Sequence, residues 1–512
     1  MREGSSEEVL LSASSLRDRA TVILVASALF WGPASLAVAE APRPVRVSVE
    51  WETVERVSQT TATLQVVVNP PLRRGSAIHA AAFHALRDLQ ADQVRFVPWL
   101  PYPRLAVAEL EPPGDGSTSW DFSVIDPLVS DLYEATAGRP VVLNFSTTPQ
   151  WMWKTKEPVA YPPDPDQVTW TYTQGNELRD PSAAELAAYC GRLASWYARG
   201  GFTDELGKEH RSGHRFPIAY WEVLNEPDLE HNLTSPEYTR IYDAVVAAVR
   251  AVSPGTKFVG ASLAYPRRDP AFFEYFLDPR NHAPGTPLDM ISYHFYASPS
   301  ADQPREAQGF SAFEEAEGFL TGVRFIEQIR GRLSPATGTM VNEVGMIADH
   351  LLGPDGKMPG YYWNLASAVY AYLWSRLSEL GIDAVGESQL VGYPTQFPSV
   401  TMLDWTTGRP NARYWTLKLL RDRFAPGNAL VRTAVEGGSV HARGFVTKSG
   451  SRRLLLVNKR DRTVTVAVEG LARASLACVD GSTLDGFGTR EIEGGVVELR
   501  PYAVAVVSPG PS

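Results

Sequence analysis

The chain has 512 residues, 44% hydrophobic and 21% charged, with 58 acidic and 48 basic side chains for a formal charge of −10. That length and composition accommodate one large domain with a substantial core and a smaller companion. The acidic balance, without any basic run, excludes nucleic acid as an expected partner, because phosphate binding requires clustered Lys and Arg.

At the N-terminus, Arg17 and Arg19 precede the apolar run "ATVILVASALFW", and Ala37 and Ala39 fit an Ala-x-Ala cleavage site. This pattern predicts a signal peptide over 1–39 and a secreted or periplasmic mature chain. The run is short for a bilayer span, and no later stretch resembles a membrane helix. An uncleaved anchor or a buried helix is the alternative.

Strand-like and helix-like segments then alternate. "TATLQVVV" (61–68), "QVRFVPW" (93–99), "PVVLNFS" (140–146), "IAYWEVLN" (218–225), "KFVGASL" (257–263), "LDMISYHFY" (288–296), "GTMVNEVG" (338–345) and "DAVGESQLV" (383–391) read as eight strands. Amphipathic helical patterns such as "PEYTRIYDAVVAAVRAV" separate them. Such alternation implies parallel βαβ units, and eight units predict a (β/α)8 TIM barrel over 61–425. A doubly wound open sheet is the alternative, but it more often shows a glycine-rich first turn.

Near Phe424 the pattern changes to short alternating strands punctuated by Gly, Ser and Asn-Lys turns. An antiparallel β-sandwich domain is expected over 426–512. The segment 40–60, with the strand-like "VRVSVEW" (45–51), is a candidate to join it.

Two cysteines, Cys190 and Cys478, are too few for a disulfide framework or a metal cluster, and read as small buried hydrophobes. His-Glu-x-x-His, phosphate-loop and dinucleotide signatures are absent from the sequence. No metal and no cofactor is expected.

Catalytic groups of such barrels gather at the C-terminal ends of the strands. Glu226 ends the fourth strand in "YWEVLNEPD", and Glu343 ends the seventh in "TMVNEVG". Two carboxyls facing each other across the barrel mouth suit glycoside hydrolysis, where one protonates the leaving oxygen and the other attacks or activates water. A lone strand-end Glu is more often a solvated rim residue; the pair is what points to chemistry. Glu387 in "VGESQ" is the rival nucleophile, and Glu222 reads as a buried partner of an arginine.

The Asn-Glu-Pro of strand four and the strand-seven Glu resemble the retaining clan A glycoside hydrolases. "WEVLNEPDL" and "SYHFY" are most similar to family 39, which includes β-xylosidases and α-L-iduronidases, while "MVNEVG" departs from the Thr-Glu expected around that family's nucleophile. The resemblance implies that Glu226 is the acid/base and Glu343 the nucleophile. It further implies that Asn225 binds the sugar 2-hydroxyl and that Arg95 keeps Glu343 ionised. His294 and Tyr296 would orient the nucleophile and line the donor-sugar site, and Trp405 would be a sugar platform. Trp151 and Trp153 in "PQWMW" read equally as sugar-facing or as loop packing.

The expected partner is thus a carbohydrate, and the expected reaction a double displacement. A transglycosylase or a noncatalytic carbohydrate-binding barrel is the alternative. The long loop 146–181 favours exo-action of a β-xylosidase-like kind. With no Lys/Arg cluster noted at the strand ends, a uronic acid is disfavoured.

Overall fold

The computed structural model describes residues 43–510 apart from Gln174. The expected signal peptide lies outside the described residues.

Eight parallel strands close into a barrel in chain order: Thr61–Val67, Val94–Val97, Val141–Leu143, Tyr220–Glu222, Lys257–Leu263, Met290–Ala297, Gly338–Met346 and Ala384–Glu387. The eighth pairs with the first through Ala384 opposite Thr61, which completes the ring. Every residue of the first strand is buried. Strands covered by the barrel interior on one side and helices on the other favour apolar residues on both faces, which is why they read as largely apolar runs, here interrupted by buried polar residues such as Thr63, Gln65 and Arg95. The helix Ser235–Val252 illustrates the outer layer. Thr234 and Glu237 form a reciprocal capping box at its start, and Ile241, Val245 and Val249 recur at helical spacing on its buried face.

Nine further strands form one almost entirely antiparallel sheet, and Gly201–Thr203 pairs with Glu209–Arg211 in a separate two-stranded one. In the nine-stranded sheet, the early segment takes an interior place. Val45–Val57 lies inside it, antiparallel to Ala429–Val435 and parallel to Val464–Val468. The period-two alternation of Arg452–Asn458 explains how the sheet serves two cores. Leu454 and Leu456 face a private core with Val47, Val466 and Val507. Leu455 and Val457 join the core shared with the barrel helices. There Trp374 of helix Gly360–Leu380 stacks on Phe445 with ring centroids 5.6 Å apart. Cys190 and Cys478 are both unbridged. Among the described residues no helix is long and apolar enough to cross a membrane.

Candidate active site

Strand pairing in the fourth strand stops at Glu222, and the chain then twists sharply. Leu224 and Glu226 adopt φ of +59° and +42°, and the facing Ala261 and Ser262 adopt +72° and +50°. Non-glycine residues rarely enter this left-handed region, at a cost of roughly 1–3 kcal/mol each. The strained segments hold each other: Glu226 N–H donates to the Ser262 carbonyl at 2.9 Å. Asp228, the last residue of Asn-Glu-Pro-Asp, accepts the backbone N–H groups of Ala264 and Tyr265, each at 2.9 Å. That motif therefore fastens the exit of strand four to the exit of strand five.

Glu343 arrives on strand seven, where the register against strand six skips between Val341 and Glu343. Such a bulge re-aims side chains. One oxygen each of Glu226 and Glu343, with a ring nitrogen of His294, lie within 4.8 Å of one another. The three are close enough to surround a small cation, but both Glu343 oxygens already have protein partners.

Arg95, on strand two and 2% exposed, organises these groups from below. It donates to Glu343 Oε1, to Glu222 Oε2 at 2.5 Å, to Gln65 Oε1 at 2.6 Å and to Asn225 Oδ1 at 2.6 Å. Glu222 is further held by Asn144 at 2.5 Å, Ser292 at 2.6 Å and Asn342 at 2.7 Å. Tyr296 donates to Glu343 Oε2 at 2.6 Å. His294 Nδ1 lies 2.8 Å from Glu226 Oε1, while its Nε2 is 3.6 Å from Glu343 Oε1. His294 thus bonds to Glu226 rather than directly to Glu343. Asn225 donates through Nδ2 to Glu230 at 2.7 Å, leaving its second amide hydrogen for a ligand.

These contacts set the two carboxyls apart in acidity. Burial pushes Glu226 above the ordinary carboxylate range; the His294 bond opposes this and the nearby Glu343 charge adds to it. Burial also acts upward on Glu343, but His294, Arg95 and Tyr296 outweigh it and hold that carboxyl below its ordinary value. A Glu226 that holds its proton more tightly than Glu343 does is the division of labour an acid and a nucleophile need.

Both carboxyls open into a cavity of 1410 Å³, together with Asn225, His294 and Tyr296. Its aromatic wall is made by Trp99, Trp170 and Phe397. Trp99 stacks on Phe397 with centroids 6.1 Å apart and meets Trp170 edge-on at 5.5 Å. Glu230 fixes the Trp99 indole by accepting its N–H at 2.6 Å. Trp170 and Asn176 come from the long loop 146–181.

The structure does not bring Trp405 to the cavity. It lies in a turn closed by Asp404, whose Oδ1 accepts from Thr406 and Thr407, and it packs against the core instead. Trp153 stacks on His231 at 3.9 Å, and Trp151 donates to the Glu109 carbonyl at 3.1 Å; neither lines the cavity. Glu387 is fully buried against Arg413 at 3.0 Å and is likewise absent from the cavity wall. Sequence reasoning missed Trp99, Trp170, Phe397, Glu230 and the pair Arg267–Arg268, all on the cavity wall. The two arginines also correct the expectation that the strand ends carry no basic cluster. They stand four and five residues beyond Leu263, the last residue of strand five, and that spacing was the available signal.

Solved structures of similar architecture are numerous. A GH51 arabinofuranosidase from Xanthomonas axonopodis pv. citri superposes with a TM-score of 0.62 at 14% identity, over 91% of this chain and 100% of that one. A glucosidase from Croceicoccus marinus gives 0.56 at 16% identity, over 92% and 99%. A GH30 endoxylanase from Clostridium papyrosolvens gives 0.53 at 12% identity, over 91% and 100%. The likeness is one of fold. Residues 438–507 match the D-apionate lactonase C-terminal immunoglobulin-like domain, a match confined to the sheet and outside the cavity. Among curated proteins, none matches this chain in sequence.

Proposed function

We propose that the chain is a retaining glycoside hydrolase of clan A, nearest to family 39, acting by double displacement. The observation that carries this reading is the approach of a Glu226 oxygen to a Glu343 oxygen within 4.8 Å. Retaining enzymes hold their carboxyls about 5–5.5 Å apart, whereas inverting ones leave about 6.5–9.5 Å for a water. Glu343, ionised, attacks the anomeric carbon while Glu226 gives its proton to the leaving oxygen. Glu226 then withdraws a proton from water, which displaces Glu343 and restores both groups. The remaining Asn225 amide hydrogen is suited to the sugar 2-hydroxyl. Trp170 and Asn176, brought by loop 146–181 onto the cavity wall, support exo-action on chain ends, of a β-xylosidase-like kind.

The neighbours' printed activities, arabinofuranosidase, glucosidase and endoxylanase, are in keeping with a saccharide substrate. The test is a screen of aryl glycosides followed by NMR of the first-formed product and trapping with a 2-deoxy-2-fluoro glycoside. The expected results are a retained anomeric configuration and label on the peptide containing "VNEVG". Inversion, or label on Glu387, overturns the mechanism. We also propose that the chain is exported, on the strength of residues 1–39 alone.

A further inference from the structure

The loop leaving strand five carries "AYPRRDP" along the cavity wall, and Tyr265, Pro266, Arg267 and Arg268 all line it. This stretch is built rather than loosely draped. The carboxylate of Asp228 clamps the N–H groups of Ala264 and Tyr265. Arg268 N–H closes a turn onto the Tyr265 carbonyl at 2.9 Å, and Pro266 is buried.

Each arginine has a seat. Arg267 lies along the helix Arg305–Leu333 where two glycines clear a track: a Cβ at Gly322 would meet Arg267 Cγ at 2.6 Å, and one at Gly318 would meet its guanidinium at 2.8 Å. The Arg268 guanidinium lies over the Tyr265 ring, 4.0 Å from its centroid. Both arginines are exposed, and no carboxylate of the described residues forms an ion pair with either. Glu315 is near enough to be influenced by Arg267, but its carboxylate accepts the Ser298 N–H. In a chain of net charge −10 with Glu226, Glu230, Glu315 and Glu343 lining the same cavity, two seated guanidiniums with no ion-pair partner among the described residues are suited to an anionic group brought by the ligand.

We infer that Tyr265, Arg267 and Arg268 form an anion-binding subsite at the cavity mouth, and that the saccharide bears a carboxylate or sulfate on a sugar other than the one cleaved. The position of the anion follows from exposure. The reacting centre is enclosed, with Glu343 7% exposed, whereas Tyr265 is 42% exposed. The exposed Tyr265 ring can offer a surface to a sugar, and the guanidinium forks suit a planar or tetrahedral oxyanion. This inference rests on the glycosidase reading for its saccharide, but its test does not require turnover.

Binding is measured by calorimetry on the chain carrying Glu343→Gln, so that no probe is consumed. The probes are xylotetraose, a xylotriose bearing one glucuronic acid, and a sulfated xylo-oligosaccharide of equal length. At low salt an acidic probe is expected to bind about three- to tenfold tighter than the neutral one, as a partly exposed charge-assisted contact allows, with the advantage shrinking as salt rises. Arg267→Ala/Arg268→Ala should bring that ratio close to one, and Arg267→Lys/Arg268→Lys should retain part of it. Preference for the glucuronosyl probe identifies a carboxylate, and preference for the sulfated one a sulfate. Equal affinity for all probes, no binding of any, or a preference that survives the double alanine change overturns the inference. Hydrolysis of neutral aryl glycosides by the unaltered chain reads the glycosidase mechanism separately.

Discussion

The Tyr296 hydroxyl donates to Glu343 Oε2 at 2.6 Å, and its oxygen lies 2.7 Å from Ser388 Oγ, which Gln65 Nε2 reaches at 2.6 Å. A relay of polar groups from strands one and six and from the residue just after strand eight therefore ends on the proposed nucleophile. Linked hydrogen bonds in a low-dielectric site strengthen one another, so the end of the relay is where a break is felt most.

Tyr296→Phe removes a donor to the ionised form of Glu343. That carboxyl is held below its ordinary value in part by this bond, so its loss raises the pKa. The acid limb of kcat/KM should move to higher pH, and kcat should fall about 10- to 100-fold, the equivalent of one charge-assisted hydrogen bond. A pH–rate profile of the variant checks both. An unmoved acid limb would mean that Tyr296 serves packing only.

Glu226→Ala should separate the two half-reactions. Dinitrophenyl glycosides, which leave without protonation, should still glycosylate Glu343, while poor leaving groups should lose about 10²–10⁴-fold, the usual worth of a general acid. Added azide should restore turnover and yield the glycosyl azide of retained configuration. Full activity on a poor leaving group would remove Glu226 from this role.

Glu222→Gln addresses stability. The Glu222 side chain is 0% exposed, and although burial pushes its carboxyl upward, Arg95, Ser292 and Asn144 hold it below the ordinary value. A depressed folded pKa gives stability that is present above the unfolded value and lost as pH falls through the folded one. The variant should therefore be less stable by about 3 kcal/mol near neutrality, since it leaves a buried arginine short of charge. The difference should shrink in acid. Urea titrations at neutral pH and below the ordinary carboxylate range measure it, and a gap that widens in acid would contradict the assignment.

Export should yield a mature chain beginning near Glu40. N-terminal sequencing of material from the medium or periplasm reads this directly, and a cytoplasmic product that keeps the apolar run would refute it.

The barrel was legible because strands buried on both faces are largely apolar, and that pattern survives without any contact information. Glu226 and Glu343 were legible because strand order converts position in the chain into position around a ring. The aromatic wall was not. Trp99 closes "QVRFVPW" in plain view, but a tryptophan at a strand end is as suited to a core as to a cavity, and only the Glu230 bond and the Phe397 stack orient it. Trp405 misled for the complementary reason: its turn folds back through Asp404, and Phe397, earlier in the same connection, lines the cavity instead. The two arginines escaped notice because a pair is not a run.

The strand Val45–Val57 has a consequence for how the molecule is made. Its neighbours begin at Ala429 and Val464, and Ser58 and Asn428 are joined by a backbone hydrogen bond of 2.9 Å, so the whole barrel is spliced between adjacent strands of one sheet. During synthesis this strand emerges before every other described strand and must wait, with both edges unpaired, until nearly all of the chain has left the ribosome. Bare edges of this kind recruit other strands. The barrel cannot be excised without orphaning a strand from the middle of the sheet, and a nascent chain halted before residue 429 carries an unpaired strand at 45–57 that a holding chaperone would have to cover.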